Sequence, residues 1–147
     1  MVILCLAPDA PVADSATVST QADFSVARDA GSVALAREFA RIFLTRAGYT
    51  GSHDDVILVT SELVTNALRH GRGDVVLRVA GDAGRVRLEV TDRSRRSPRR
   101  RRSGTDGGWG LMLVAGLSTD WGVDERDAGK VVWSELHAEP ETVTYPC

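Results

Sequence analysis

The chain has 147 residues, with 18 basic against 20 acidic and a formal net charge of −2. That near balance gives no global field pointing to nucleic acid or a membrane, and the length is most simply one domain with an ordinary core. The cysteines, Cys5 and Cys147, lie near opposite ends and form no metal or redox spacing, so a reduced, cytoplasmic protein is expected.

Val2 to Ala7 is apolar but short, uncharged at its start and closed by Pro8, which does not fit a signal peptide. No run reaches bilayer length. Residues 1–20 read as a flexible arm, 21–138 as the folded domain and 139–147 as a tail. Ala22 to Ala27 is predicted as a short strand centred on Phe24 and Val26. A helix follows, with Asp29 as its cap, Val33, Ala36, Phe39, Ala40 and Phe43 on one face, and Gly48 at its end.

Ser52 and Asp55 form a capping-box pattern for a second helix that Gly71 stops. Val75 to Ala80 reads as a strand and 81–84 as a turn. Arg85 to Asp92 alternates strictly and is the clearest strand in the chain. The stretch from Arg93 to Gly110 is irregular and rich in Arg and Gly. Leu111 to Leu117 then reads as a short helix, and Trp121 to Glu125 with Lys130 to Leu136 as a closing hairpin. The whole describes an α+β fold: a two-layer sandwich with a mixed, mostly antiparallel sheet and helices on one face.

Three places could carry chemistry. Glu62 and Asn66 sit four residues apart on the second helix, so their side chains lie about 40° apart and about 6 Å along the axis. A carboxylate beside an amide oxygen can serve a magnesium-bound phosphate; a solvated helix surface is the plainer alternative. Asp92 shares strand parity with Val86, Leu88 and Val90, so it points toward the core and needs donors, unless the strand has ended and it caps a turn. Gly107-Gly108-Trp109-Gly110-Leu111 opens a helix, where backbone N–H groups favour anions. No Gly-Lys-Ser/Thr follows, so it is not a Walker-type loop. The run Arg99 to Arg102 could grip nucleic acid or an acidic protein surface, or be a solvated loop, and no aromatics interleave it for base stacking. His53, His70 and His137 show no zinc spacing.

Taken in order, these pieces resemble the GHKL ATPase superfamily, with its Bergerat ATP-binding fold, and within it the bacterial anti-sigma factor serine/threonine kinases. Ser61-Glu62-Leu63-Val64-Thr65-Asn66-Ala67 with Arg69-His70-Gly71 is similar to the first helix motif. Val90-Thr91-Asp92-Arg93-Ser94 is similar to the adenine-reading segment, and Gly107 to Leu111 with Leu113-Val114 to the lid. Trp121-Gly122-Val123 and Gly129-Lys130-Val131-Val132-Trp133 are similar to the closing strands. Ser94 stands where relatives usually carry Gly, Trp109 where Arg is common, and Val131 where a Thr often supports a water beside the adenine.

The resemblance implies ATP and Mg2+ as cofactors. Glu62 would act as general base or orient the attacking hydroxyl, Asn66 would ligate the metal and Asp92 would accept from the adenine amine. Gly108, Gly110 and Leu111 would supply backbone donors to phosphate. It also implies a sigma factor and a serine-bearing anti-sigma factor antagonist as partners, and a homodimer; from charge and run lengths, membrane binding is not expected and direct nucleic-acid binding is disfavoured. The alternative is a catalytically inactive, nucleotide-sensing regulator that only binds protein.

Overall fold

A computed structural model of the chain describes residues 19–94 and 108–139. Its elements run β1 (Thr20–Val26), α1 (Ser32–Ala47), α2 (His53–His70), β2 (Val75–Gly81), β3 (Arg85–Asp92), α3 (Gly108–Leu117), β4 (Asp120–Arg126) and β5 (Gly129–His137). Thr20, expected in the arm, is the first residue of β1 and pairs with Gly81. The rest of the arm up to residue 18, both cysteines, the Arg99–Arg102 run and Gly107 lie outside the described residues.

The strands form one sheet in the order β1-β2-β3-β5-β4. Every neighbouring pair is antiparallel, so the α+β sandwich is as expected and its sheet, read as mixed but mostly antiparallel, is antiparallel throughout. Alternation decides its faces. Val75, Leu77 and Val79 of β2, with Val86, Leu88 and Val90 of β3, turn toward the helices and are buried. Burying one such side chain is worth roughly 1.5–3 kcal/mol, which fixes the register, because a one-residue slip would expose them all. The opposite face carries Arg87, which bonds Glu89 and Glu135 at 2.9 Å each and lies over the Trp133 ring.

α1 contributes Ala36, Ala40, Phe43 and Leu44 to the core. Asp29 does not cap it by bonding its first helical amides. Its carboxylate accepts from Gly31 N–H and Ser32 Oγ instead, ordering the turn just before the helix. Gly48 ends the helix in the left-handed region at φ 69°, which glycine adopts without steric cost. Ser52 Oγ accepts from Asp55 N–H at 3.2 Å and starts α2, as the capping pattern predicts.

Candidate functional site

Core packing sets the rotation of α2. Val56, Val59, Leu63, Val64 and Ala67 are buried against the sheet and α1, and Leu58 on the other side is exposed. Glu62 and Asn66 fall on the boundary between those faces and are half-buried. They are therefore held by a packed helix while remaining open to something outside it. His70 is exposed. Gly71 stops the helix, but in extended backbone (φ −84°, ψ 176°) and not in the left-handed turn that a glycine there usually makes.

The reason Gly71 has no side chain lies across the domain. A Cβ there would come within 2.4 Å of Ala67 O and 2.7 Å of Asp92 Cγ. Asp92, the last residue of β3, thus sits directly beneath the end of α2. It is 1% exposed. Its Oδ1 accepts from Ser94 N–H at 2.6 Å, so the turn-capping alternative is realised together with the inward-pointing one. Its Oδ2, equally buried, accepts no hydrogen bond among the described residues; Ser61 Oγ, beside Glu62, is the other such atom.

β5 closes the site from the other side. Its register pairs Asp92 with Lys130 and Thr91 with Val131. Val131 consequently lies on the sheet face away from Asp92 and cannot be its neighbour in the position read for a water-supporting Thr. Lys130 takes that place, with Nζ 3.4 Å from Asp92 Oδ2. Gly129, at φ 151°, lets β5 approach: a Cβ there would be 2.0 Å from Asp92 O.

α3 packs against α2 and begins at Gly108, three residues before the predicted start. Gly108, Gly110 and Leu111 therefore belong to its first turn, whose backbone N–H groups have no partners within the helix. Leu111 and Val114 are buried and anchor that turn.

A family model for the histidine kinase-like ATPase domain matches residues 26–135. The chain belongs to that family. The match runs from the end of β1 into β5 and takes in Glu62, Asn66, Asp92, α3 and Lys130. No curated protein matches the chain.

Among solved structures, this histidine kinase-like ATPase domain is similar to the RsbU and RsbW domains of Rv1364c from Mycobacterium tuberculosis. The TM-score is 0.60 at 21% identity, over 80% of this chain and 31% of that one. The chain thus spans about a third of that protein, and at such identity the likeness is one of fold. The histidine kinase domain of the Erythrobacter litoralis EL346 blue-light activated histidine kinase gives 23% identity and a TM-score of 0.47, over 71% of this chain and 59% of that one.

ATP is the nucleotide that membership in this family implies. Among the described residues no three His, Cys, Asp or Glu side chains cluster to hold a metal by themselves. Magnesium that arrives on a polyphosphate needs only one or two protein oxygens, and the half-buried amide of Asn66, one turn from Glu62, fits that requirement.

Gly71 and Lys130 are the site residues that sequence reasoning passed over in assigning roles. Lys130 carried a signal, as the one Lys among 18 basic residues. Gly71 carried none beyond its place at a helix end, because its contact with Asp92 joins distant segments.

Proposed function

We propose that this domain is an ATP-dependent serine/threonine kinase that acts on an anti-sigma factor antagonist and also sequesters a sigma factor. The observation that carries the nucleotide part is Asp92. A buried carboxylate at a strand end, with one oxygen that accepts no hydrogen bond among the described residues, suits the exocyclic amine of adenine. In this reading Asn66 ligates magnesium through its amide oxygen, and the ion when bound neutralises phosphate charge. Glu62 takes the proton from the attacking serine hydroxyl or orients it. The first-turn amides of Gly108, Gly110 and Leu111 hold the phosphates. Phosphoryl transfer asks a protein mainly for positioning and charge neutralisation, and these groups provide it without covalent chemistry of their own. Family membership supports the nucleotide; the RsbW domain in a fold neighbour's name supports the partners, and the homodimer rests on the family resemblance.

The test is transfer of labelled γ-phosphate from ATP to a candidate antagonist. Glu62→Gln is expected to reduce transfer by at least about a hundredfold, the low end of general-base effects, while leaving ATP affinity within about threefold. Transfer at the wild-type rate in Glu62→Gln would reject Glu62 as the base.

A second reading, a nucleotide-responsive regulator that holds a partner and transfers nothing, is favoured by one observation. Ser94 and Trp109 stand where relatives usually carry Gly beside the base and commonly Arg in the lid. Here magnesium-ATP alters partner affinity, and no phosphoprotein forms with any antagonist.

A further inference from the structure

Lys130 is the single lysine of a chain that otherwise takes its positive charge from arginine, and it is 4% exposed. An ammonium is buried at high cost unless a counter-charge and hydrogen bonds meet it. The counter-charge is Asp92, at 3.4 Å, an ion-pair distance longer than the roughly 2.7–2.9 Å of a charge-assisted hydrogen bond. On Asp92 itself Oδ1 is engaged by Ser94 N–H, and Oδ2 accepts no hydrogen bond among the described residues. A carboxylate oxygen lacking a donor therefore stands beside an ammonium. An ammonium carries three N–H groups and can serve an acceptor besides Asp92.

Resting on the reading above that a purine nucleotide docks at Asp92, we propose that Lys130 reads the base. Asp92 Oδ2 accepts from the exocyclic amine of adenine, and Lys130 Nζ donates to the adjacent ring nitrogen, N1. Together they match the one donor and one acceptor on adenine's edge. Guanine's edge presents an acceptor and two donors. Seated in the same orientation, guanine turns its O6 acceptor to the carboxylate and its N1–H donor to the ammonium, the reverse of adenine, so the pair selects adenine over guanine. The pair is also neutral in sum, so the base does not bury an uncompensated charge. Both side chains are buried in the structure, and Gly71 adjoins Oδ2, from which a Cβ added to it would lie 2.8 Å.

The experiment is calorimetry on the full chain with the magnesium complexes of ATP, GTP and 1-deaza-ATP, in which N1 is replaced by C–H. Wild type is expected to bind ATP at least about tenfold more tightly than either alternative, the effect of one charge-assisted hydrogen bond. Lys130→Met is expected to weaken ATP by a similar factor and to bind ATP and 1-deaza-ATP equally. Since Lys130→Met strands Asp92 and can unfold the domain, the wild-type comparison of ATP with 1-deaza-ATP keeps the proposal open to refutation, and Lys130→Arg, which keeps the charge, is expected to alter that ratio. Equal affinity for those two overturns the proposal. If wild type binds ATP, and Asn66→Ala and Asp92→Asn weaken it, yet N1 makes no difference, the nucleotide site stands and the role of Lys130 falls. If wild type binds no nucleotide, both fall.

Discussion

Gly71 and Asp92 constrain one another. The glycine is extended at φ −84°, a conformation open to any residue, so its requirement is steric. Gly71→Ala forces either Ala67 O or the Asp92 carboxylate to move, since both lie under 3 Å from the new methyl. Overpacking of this kind costs about 1–3 kcal/mol. Urea unfolding is expected to show that loss, and calorimetry a weaker grip on ATP, because the displaced carboxylate is the one assigned to the base. A variant that lost neither would show that the contact is slack. At this scale the sequence was partly legible. Parity along β3 was enough to point Asp92 inward. Which residue answers its charge depended on the strand register, and the reading that gave the place to Val131 was one residue away from Lys130, which sends the side chain to the opposite face.

Among the elements, the strands and two of the caps followed local chemistry closely. Ser52 starts α2, Gly48 ends α1, and β3 has the predicted bounds. α3 was underestimated because its first turn is glycine-rich, and glycine weakens a helix by about 1 kcal/mol relative to alanine; packing against α2 restores what propensity lacks. The β1–β2 pair carries a pH-dependent link. Arg78 bonds the Asp23 carboxylate at 2.8 and 3.0 Å and holds it below its ordinary value of 3.8. A lowered carboxylate contributes stability above its unfolded value and loses it as pH falls through the folded one. Both side chains are 45% exposed, so solvent screening limits the contribution to about 0.5 kcal/mol or less. Asp23→Asn is expected to lower stability by up to that amount near neutrality, where the link is intact, and to match wild type once pH has fallen below the folded value, so the profile flattens slightly below about pH 4. High salt should do the same, and urea midpoints across that range check both.

For the whole molecule, the antiparallel order brings β3 to the centre of the sheet, where α2 covers it and β5 flanks it. The proposed nucleotide site therefore joins segments from Glu62 to Lys130, and its occupancy should stabilise the domain as a unit. At a ligand concentration about a hundredfold above Kd, magnesium-ATP adds about 2.7 kcal/mol, a rise of several degrees in melting temperature. Asn66→Ala is expected to remove the part of that rise that depends on magnesium. A thermal melt with ATP, with and without the ion, measures it. A magnesium-dependent shift that survives Asn66→Ala would take the metal role away from that residue.

The sequence alone determined what rests on near neighbours: the start of α2 and the end of α1, the alternation of β3, the i,i+4 placement of Glu62 and Asn66, and the order of motifs that marks the family. Periodicity and capping act within a few residues, so one chain read from end to end contains them. Only the tertiary structure decided that Gly71 meets Asp92, that Lys130 neutralises it, and that the sheet is antiparallel throughout. Those facts follow from strand pairing and side-chain packing between segments far apart in the chain, where the free energy of burial chooses the partner and no local pattern records the choice.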